Sequence, residues 1–182
     1  MPSSPVPLHL KLKDHDATMA LGTCFADAMR ALQAYPALLL DGELGAGKTT
    51  FVRGVVQTLP GGDQAEAASP SFNYLNIYPT TPETFHFDFY RLQGQKLEDD
   101  LFSALHDPTG LVIVEWASYC RSQDLPEDHL AVRFKVSAHE REAEISGHGS
   151  LAALVIRRLR DRLPAVFLSH DVMQGELSTC GS

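Results

Sequence analysis

The chain has 182 residues, 44% hydrophobic and 21% charged, which fits one globular domain and excludes a disordered or fibrous protein. Its formal net charge of -8 disfavours direct binding to a nucleic-acid backbone, because such binding depends on lysine and arginine neutralising phosphates. Its apolar runs are far shorter than the roughly 20 residues that span a bilayer, and its N-terminus lacks the features of a secretory signal. We therefore expect a cytoplasmic protein without a membrane segment.

The first elements read as a strand, a helix and a second strand. Leucines alternate with polar residues over residues 8–12, the period-two pattern of a half-buried strand. Apolar side chains then recur at helical spacing from Asp16, the predicted N-cap, up to the break at Tyr35 and Pro36. Residues 37–40 are continuously apolar, which predicts a strand covered on both faces in a parallel sheet.

A glycine-rich loop follows this strand directly. Residues 42–49 complete the pattern G-x-x-x-x-G-K-[ST], and apolar residues at helical spacing continue up to Pro60. Glycines let backbone N–H groups turn inward around phosphate oxygens, and the helix adds the positive end of its dipole. The sequence therefore predicts a phosphate-binding loop, in which Lys48 reaches the terminal phosphates and the Thr49 hydroxyl binds a bridging Mg²⁺ ion.

The middle of the chain predicts an antiparallel hairpin. Residues 72–78 and 84–90 are rich in aromatic side chains and flank a turn longer than two residues. In the second strand, alternation places phenylalanines on one face and His86, Asp88 and Tyr90 on the other. Asp88 is a candidate acid near the metal and His86 a candidate water-positioning or hydrogen-bonding group, although a solvated polar face would have the same pattern.

A small polar loop precedes this hairpin. Its end, residues 69–72, reads Ser-Pro-Ser-Phe, and a hydroxyl there, such as that of Ser71, is a candidate sensor of the terminal phosphate and its magnesium ion. A simple turn is the alternative interpretation of the same four residues.

The second continuously apolar strand is the one that matters most for mechanism. A short helix is predicted over residues 97–105, and the apolar run at residues 111–114 then ends at Glu115 and Trp116. P-loop proteins place at such a strand end the acid that holds the metal through water or orients the attacking water. Glu115 is therefore the candidate acid. Trp116 is either a core aromatic residue or a surface anchor for a partner.

The last elements are two strands and a helix. Residues 130–136 alternate clearly and residues 143–145 weakly, and residues 149–163 are helical. The predicted inward face of this helix consists of Leu151, Leu154, Val155 and Leu159. Four arginines on the helix, Arg157, Arg158, Arg160 and Arg162, form either a solvated face or a docking patch for an acidic partner or RNA.

Together these elements predict an α/β fold: a P-loop NTPase-like sandwich with a central, largely parallel sheet, an antiparallel hairpin and flanking helices. Residues 1–163 are predicted to form a single P-loop domain, and residues 164–182 an unstructured C-terminal tail.

Four motifs in order resemble one family. Residues 42–54, the Ser-Pro-Ser-Phe loop at 69–72, residues 86–92 with the sequence His-Phe-Asp-Phe-Tyr-Arg-Leu, and the pair Glu115 and Trp116 are similar to the TsaE family. Members of that family are the ATPase subunits of bacterial tRNA threonylcarbamoyladenosine synthesis. The resemblance runs from about residue 18 to about residue 145.

The resemblance implies a small ATPase with weak activity alone. It would work with a threonylcarbamoyl-transfer protein pair of the TsaB and TsaD type and meet tRNA only indirectly, with ATP turnover resetting the complex. It further implies that Thr49 and Glu115 form the magnesium site and that Asp88 and Trp116 are important for activity. The nucleotide-binding residues it implies are Gly45, Ala46, Gly47, Lys48, Thr49 and Thr50.

Other functions share the same loop. A small-molecule or nucleotide kinase has this loop and size, but it needs an acceptor pocket and usually an arginine-bearing lid. A GTPase needs an Asn-Lys-x-Asp segment, and neither Asn73 nor Asn76 is followed by lysine. A non-enzymatic protein that binds nucleotide only to assemble a complex is a further alternative.

Overall fold

The computed structural model describes residues 6–65, 69–70, 74–137, 141–163 and 167. Its strands are β1 (Leu8–Leu12), β2 (Ala37–Asp41), β3 (Leu75–Tyr78), β4 (Thr84–Asp88), β5 (Leu111–Glu115), β6 (His129–Val136) and β7 (Arg141–His148). Its α-helices are α1 (His15–Leu32), α2 (Lys48–Thr58), α3 (Asp99–Leu105) and α4 (Ser150–Arg162).

The strands form a single seven-stranded sheet in the order β1-β7-β6-β2-β5-β4-β3. The four central strands, β6, β2, β5 and β4, are parallel, whereas the outer pairs β1–β7, β7–β6 and β4–β3 are antiparallel. The predicted hairpin is confirmed as β3 and β4, and β4 also pairs in parallel with β5. Every residue of β4 and β5 is buried, as expected for strands with neighbours and cover on both sides.

The sheet separates two hydrophobic clusters. One contains the inward faces of α1, α2 and α4, and its largest buried rings, Phe25, Phe51 and Phe134, meet edge to face. The other lies under α3 and contains Phe85, Phe87 and Phe89. Since side chains alternate along a strand, Thr84, His86 and Asp88 face the same side of the sheet as α2.

Two glycines set the distance between α1 and α2. A Cβ atom on Gly22 would lie 2.3 Å from the Phe51 carbonyl oxygen, and one on Gly54 would lie 2.1 Å from the Met19 carbonyl oxygen. Both clashes are with backbone, which cannot turn away as a flexible side chain can. The two helices therefore pack backbone to backbone, and this contact holds the start of α2 in place.

We expect Gly54→Ala to lower the free energy of unfolding by about 2 kcal/mol or more, because the added methyl group forces the helices apart. Gln57→Ala, on the exposed face of the same helix, is the matched control. Urea denaturation of both variants measures the difference. A Gly54→Ala protein as stable as the control would show that the helices separate without cost.

Two local predictions were wrong. The N-cap of α1 is Asp14 rather than Asp16: its Oδ1 atom accepts a hydrogen bond from the Ala17 N–H at 2.8 Å, and Asp16 lies in the first turn. On α4, Leu151 and Leu154 are each 39% exposed, and Ala152 and Ile156 are buried instead, with Val155 and Leu159.

A side chain from outside the helix caps α4. Asp128, just before β6, accepts hydrogen bonds from the Leu151 and Ala152 N–H groups at 3.0 and 2.9 Å. The contact anchors the first turn of α4 beside the start of β6. Of the four arginines, Arg158 and Arg162 line the same pocket, and the choice between a solvated face and a docking patch stays a prediction.

The predicted tail, residues 164–182, lies outside the described residues except for Phe167, which is buried in the cluster of α1, α2 and α4. Among the described residues, no helix is both long and apolar enough to cross a bilayer.

Candidate functional site

The glycine-rich loop connects the end of β2 to the start of α2, as the sequence predicts. Gly42 has a φ of 145°, and a Cβ atom there would lie 2.6 Å from the Phe134 carbonyl oxygen. Gly47 has a φ of 111° and immediately precedes α2. Residues with side chains rarely adopt such angles, so the shape of the loop depends on these glycines.

The start of α2 is open to an anion. The N-cap residue of α2, Gly47, has no side chain that could cap the helix. The first backbone N–H groups of a helix have no partners within the helix and carry the positive end of its dipole. The site at Lys48, Thr49 and Thr50 therefore has the chemistry of a phosphate-binding helix terminus.

Lys48 is folded back onto the loop. Its side chain is buried, and its Nζ atom donates to the carbonyl oxygens of Gly42 at 2.6 Å and Glu43 at 2.9 Å. The ammonium group also lies 3.7 Å from the centroid of the Trp116 ring. Burial lowers the pKa of Lys48, and the nearby carboxylates, Glu115 foremost, act in the opposite direction.

Glu115 lies at the end of β5 and is 2% exposed. Its Oε1 atom accepts a hydrogen bond from the Thr49 hydroxyl at 2.8 Å and lies 3.0 Å from Nε2 of His86. On the other side of the imidazole, Nδ1 lies 3.2 Å from the Tyr78 hydroxyl. A continuous line of polar groups thus runs from β3 along one face of the sheet to α2.

Asp88 is the register partner of Glu115 on the neighbouring strand β4. Its two carboxylate oxygens have different partners: Oδ1 accepts from the Tyr90 N–H at 3.0 Å, and Oδ2 accepts from the Ser69 hydroxyl. Because parallel strands end at the same edge of a sheet, the acids of β4 and β5 meet beside the glycine-rich loop.

Trp116 is partly buried and packs against the hydrophobic cluster under α3, and its predicted contact with a partner stays a prediction. Its φ of 59° turns the chain sharply after β5 and brings the indole over Lys48. Tyr90 and Tyr119 flank the indole, with ring centroids 5.0 and 5.3 Å from its own. The tryptophan therefore forms one aromatic wall of the site.

These groups surround a cleft of about 400 Å³. The loop and α2 contribute Leu44, Gly45, Gly47, Lys48, Thr49 and Thr50 to its lining. The opposite side contributes Ser69, Asp88, Tyr90, Arg91, Glu115 and Trp116.

Two of the predicted site residues do not line the cleft, and a third cannot be placed. Ala46 is buried and packs into the core beneath the loop. His86 is completely buried behind Glu115 rather than lying on an open polar face. Ser71 lies outside the described residues, so its predicted switch role stays a prediction.

Two residues near the loop were not identified from the sequence. Ser69 belongs to the Ser-Pro-Ser-Phe motif, but Ser71 was named as the candidate hydroxyl of that motif. No sequence motif indicates Arg141, at the start of β7. Its Nη1 atom lies 3.8 Å from the position that a Cβ atom on Gly47 would occupy. It adds a cation to the outer side of the loop.

The oxygen atoms at this site suit a hard cation. Thr49 and Glu115 supply a hydroxyl and a carboxylate oxygen, the donor types that Mg²⁺ takes. Among the described residues, no cluster of three or more His, Cys, Asp and Glu side chains is arranged to hold a metal. A cation here would thus take most of its ligands from water or a bound phosphate, as Mg²⁺ commonly does.

The sheet order, the loop between β2 and α2 and the acid at the end of β5 define an α/β protein of the P-loop NTPase-like class. A family model described as threonylcarbamoyl adenosine biosynthesis protein TsaE matches residues 12–144. The chain belongs to this family, which confirms the resemblance seen in its motifs.

Relatives from several bacteria agree with this assignment. The chain is 37% identical over 110 residues to a tRNA threonylcarbamoyladenosine biosynthesis protein TsaE of Streptomyces coelicolor, a match covering 57% of this chain and 71% of the relative. The Haemophilus influenzae protein of the same name is 28% identical over 149 residues, covering 80% and 92%. A crystal structure of Bacillus subtilis YdiB matches with a TM-score of 0.66 and 27% identity, covering 86% of this chain and 95% of that one.

Proposed function

We propose that the protein is an ATPase that acts with partner proteins in tRNA threonylcarbamoyladenosine modification, and that ATP hydrolysis resets the complex. This proposal rests on one contact, the hydrogen bond that the Thr49 hydroxyl donates to Glu115. Thr49 directly follows the loop lysine on α2, and Glu115 ends β5, the strand that pairs with β2. Family membership supports the pathway, since the relatives carry its name.

ATP would bind with its phosphates on the loop and the start of α2. The nucleotide-binding residues are Gly45, Ala46, Gly47, Lys48, Thr49 and Thr50. Ala46 takes part through its backbone, because its side chain packs into the core. Lys48 would exchange the carbonyl oxygens of Gly42 and Glu43 for phosphate oxygens, and a buried ammonium gains more from an anion than from neutral carbonyls.

Magnesium is the cofactor that this donor set fits, with Thr49 and Glu115 as the residues that would hold it. When bound, the ion would neutralise charge on the phosphate oxygens. Glu115 and Asp88 are the candidate catalytic acids. Both are buried at the edge of the cleft, where a carboxylate can orient a water molecule or hold it through hydrogen bonds.

The partners we propose are a threonylcarbamoyl-transfer protein pair of the TsaB and TsaD type. The net charge of -8 supports an indirect contact with tRNA, because the chain itself would repel the phosphate backbone. We further propose that the protein works in the cytoplasm. The aromatic wall of Trp116 and Tyr90 at the cleft mouth is where a partner would sense whether nucleotide is bound.

Single-turnover cleavage of ATP, measured with and without the protein pair, tests this proposal. We expect slow cleavage by the protein alone and at least about tenfold faster cleavage with the pair, equivalent to about 1.4 kcal/mol in the barrier. Phosphate should be released as the free ion. A phosphorylated small-molecule acceptor would indicate a kinase instead, and ATP binding without cleavage in either condition would leave only a role in assembly.

A further inference from the structure

Behind Glu115, the buried polar line includes Tyr78, a residue that the proposed mechanism does not use. Tyr78 is 5% exposed and His86 is 0% exposed, and their rings stack with centroids 6.0 Å apart. The Tyr78 hydroxyl lies 3.2 Å from His86 Nδ1, and His86 Nε2 lies 3.0 Å from Glu115 Oε1. The same Oε1 atom accepts from Thr49. Tyr78 is therefore connected to the proposed magnesium site through one imidazole.

The direction of these hydrogen bonds follows from chemistry. A carboxylate only accepts, so His86 must donate to Glu115 from Nε2. An imidazole that donates from one nitrogen can accept at the other, and a tyrosine hydroxyl can donate to it. If the proton were on Nδ1 instead, the Nε2 lone pair would face the Glu115 carboxylate at 3.0 Å. The hydroxyl of Tyr78 stabilises the tautomer that Glu115 needs.

We propose that Tyr78 is a positioning residue for the magnesium site: acting through His86, it holds the Glu115 carboxylate in the orientation that meets Thr49. This inference rests on the proposed function, because it concerns the same site. Groups that orient a metal ligand from behind commonly fix the histidine tautomer in this way. Here the metal ligand would be the Glu115 carboxylate, and the His86 imidazole connects it to Tyr78.

The turn of the hairpin holds Tyr78 in place. It is the last residue of β3, and its register partner on β4 is Thr84, whose hydroxyl lies 2.7 Å from that of Thr80. The Thr80 N–H donates to the Tyr78 carbonyl oxygen at 2.8 Å. The turn of the hairpin thus fixes the tyrosine, and the complete burial of His86 keeps bulk water from taking over the hydroxyl's hydrogen bond.

A purely structural role would give a different result from a positioning role. Tyr78 also belongs to the hydrophobic cluster of α1, α2 and α4, so its ring contributes to packing. Tyr78→Phe keeps the ring and removes only the hydroxyl. If the hydroxyl serves only packing, Tyr78→Phe should lower stability without changing the apparent Mg²⁺ affinity. If it serves positioning, the folded variant should bind Mg²⁺ more weakly.

The experiment is calorimetric binding of ATP by the full-length protein, with and without Mg²⁺, for the wild type and four variants. His86→Gln places an amide N–H where Nε2 stood, so it can still donate to Glu115. His86→Asn places its amide near the position of Nδ1, so it keeps a partner for Tyr78 but does not reach Glu115. The third and fourth variants are Tyr78→Phe and the double variant Tyr78→Phe/His86→Gln. Tyr35→Phe, just before β2 and away from the glycine-rich loop, is the control.

We expect His86→Asn to weaken the apparent Mg²⁺ affinity by at least about tenfold, in line with the roughly 10- to 100-fold cost of losing a group that orients a metal ligand. Tyr78→Phe should weaken it by about threefold or more, with ATP affinity in the absence of Mg²⁺ unchanged, because it acts one group further away. His86→Gln should stay close to wild type. In the His86→Gln background, Tyr78→Phe should have no further effect, because no tautomer is left to select.

Equal losses in the single and double Tyr78 variants would overturn the proposal, and so would a Tyr78→Phe protein with wild-type magnesium response. If Tyr78→Phe fails to fold, the contrast between His86→Gln and His86→Asn decides the proposal: because Tyr78 acts only through donation from His86 to Glu115, a wild-type Mg²⁺ affinity in His86→Asn would overturn it. A wild-type protein whose ATP binding ignores Mg²⁺ would instead contradict the proposed function itself, so the two failures are distinguishable.

Discussion

Replacing Lys48 with alanine should reduce ATP affinity by about 100-fold, a loss of roughly 3 kcal/mol. The estimate follows from two charge-assisted hydrogen bonds to phosphate oxygens at about 1.5–3 kcal/mol each, reduced by the carbonyl contacts that the free protein already makes. Those contacts, at 2.6 and 2.9 Å, are what the ammonium group must release when nucleotide binds.

The fold should survive this substitution. The Lys48 side chain contacts the loop carbonyls and the Trp116 ring rather than the hydrophobic core, so the thermal midpoint should change little. Calorimetric titration with ATP measures the affinity, and Lys135→Ala, whose side chain is 57% exposed, is the control for removing a lysine. A Lys48→Ala protein that binds ATP as tightly as the control would exclude the loop as the phosphate site.

How well the sequence predicts this site depends on how local each signal is. The glycine pattern, the apolar strand before it and the acid at the end of β5 are all contained in short segments. Their meeting follows from a general rule, that parallel strands end at the same edge of a sheet. The sequence alone therefore predicts that Glu115 lies close to Lys48 and Thr49, beside the loop, whereas it leaves Asp88 open between an acid near the metal and a solvated face.

The surroundings of these residues could not be predicted in the same way. Arg141 comes to the loop from β7, whose register with β6 and β1 depends on pairing across many residues. His86 was a candidate on a polar face that could be open to solvent, but it is completely buried between Tyr78 of β3 and Glu115 of β5. The left-handed turn at Trp116 has no sequence signature, because a tryptophan rarely adopts that conformation.

Errors in the fold have the same origin. The inward face of α4 was assigned from the hydropathy of leucines, whereas the buried face consists of Ala152, Val155, Ile156 and Leu159. Ala152 and Ile156 lie against β7 at Gly147, where a Cβ atom would come within 3.1 and 2.7 Å of their side chains, so the close approach depends on that glycine. Hydropathy alone cannot predict a face that is chosen by such close packing.

The second large effect we expect is on turnover rather than on binding. Glu115→Gln should lower single-turnover cleavage of ATP by at least about 100-fold, close to 3 kcal/mol of transition-state stabilisation. Glutamine has nearly the same shape, and its Oε1 atom can still accept from Thr49 and His86, so both buried neighbours keep a partner. What disappears is the negative charge that would hold the magnesium ion or orient the attacking water.

ATP affinity in the absence of Mg²⁺ should therefore be unchanged or slightly higher in Glu115→Gln, because one carboxylate near the phosphates has lost its charge. Lys48→Ala should show the opposite pattern, with weak binding in both conditions. Glu83→Gln, in the exposed turn of the hairpin, is the control for neutralising an acid. Measuring Mg²⁺-free affinity and cleavage on the same samples separates the two roles, and full cleavage by Glu115→Gln would transfer the catalytic assignment to Asp88, the other acid at this edge of the sheet.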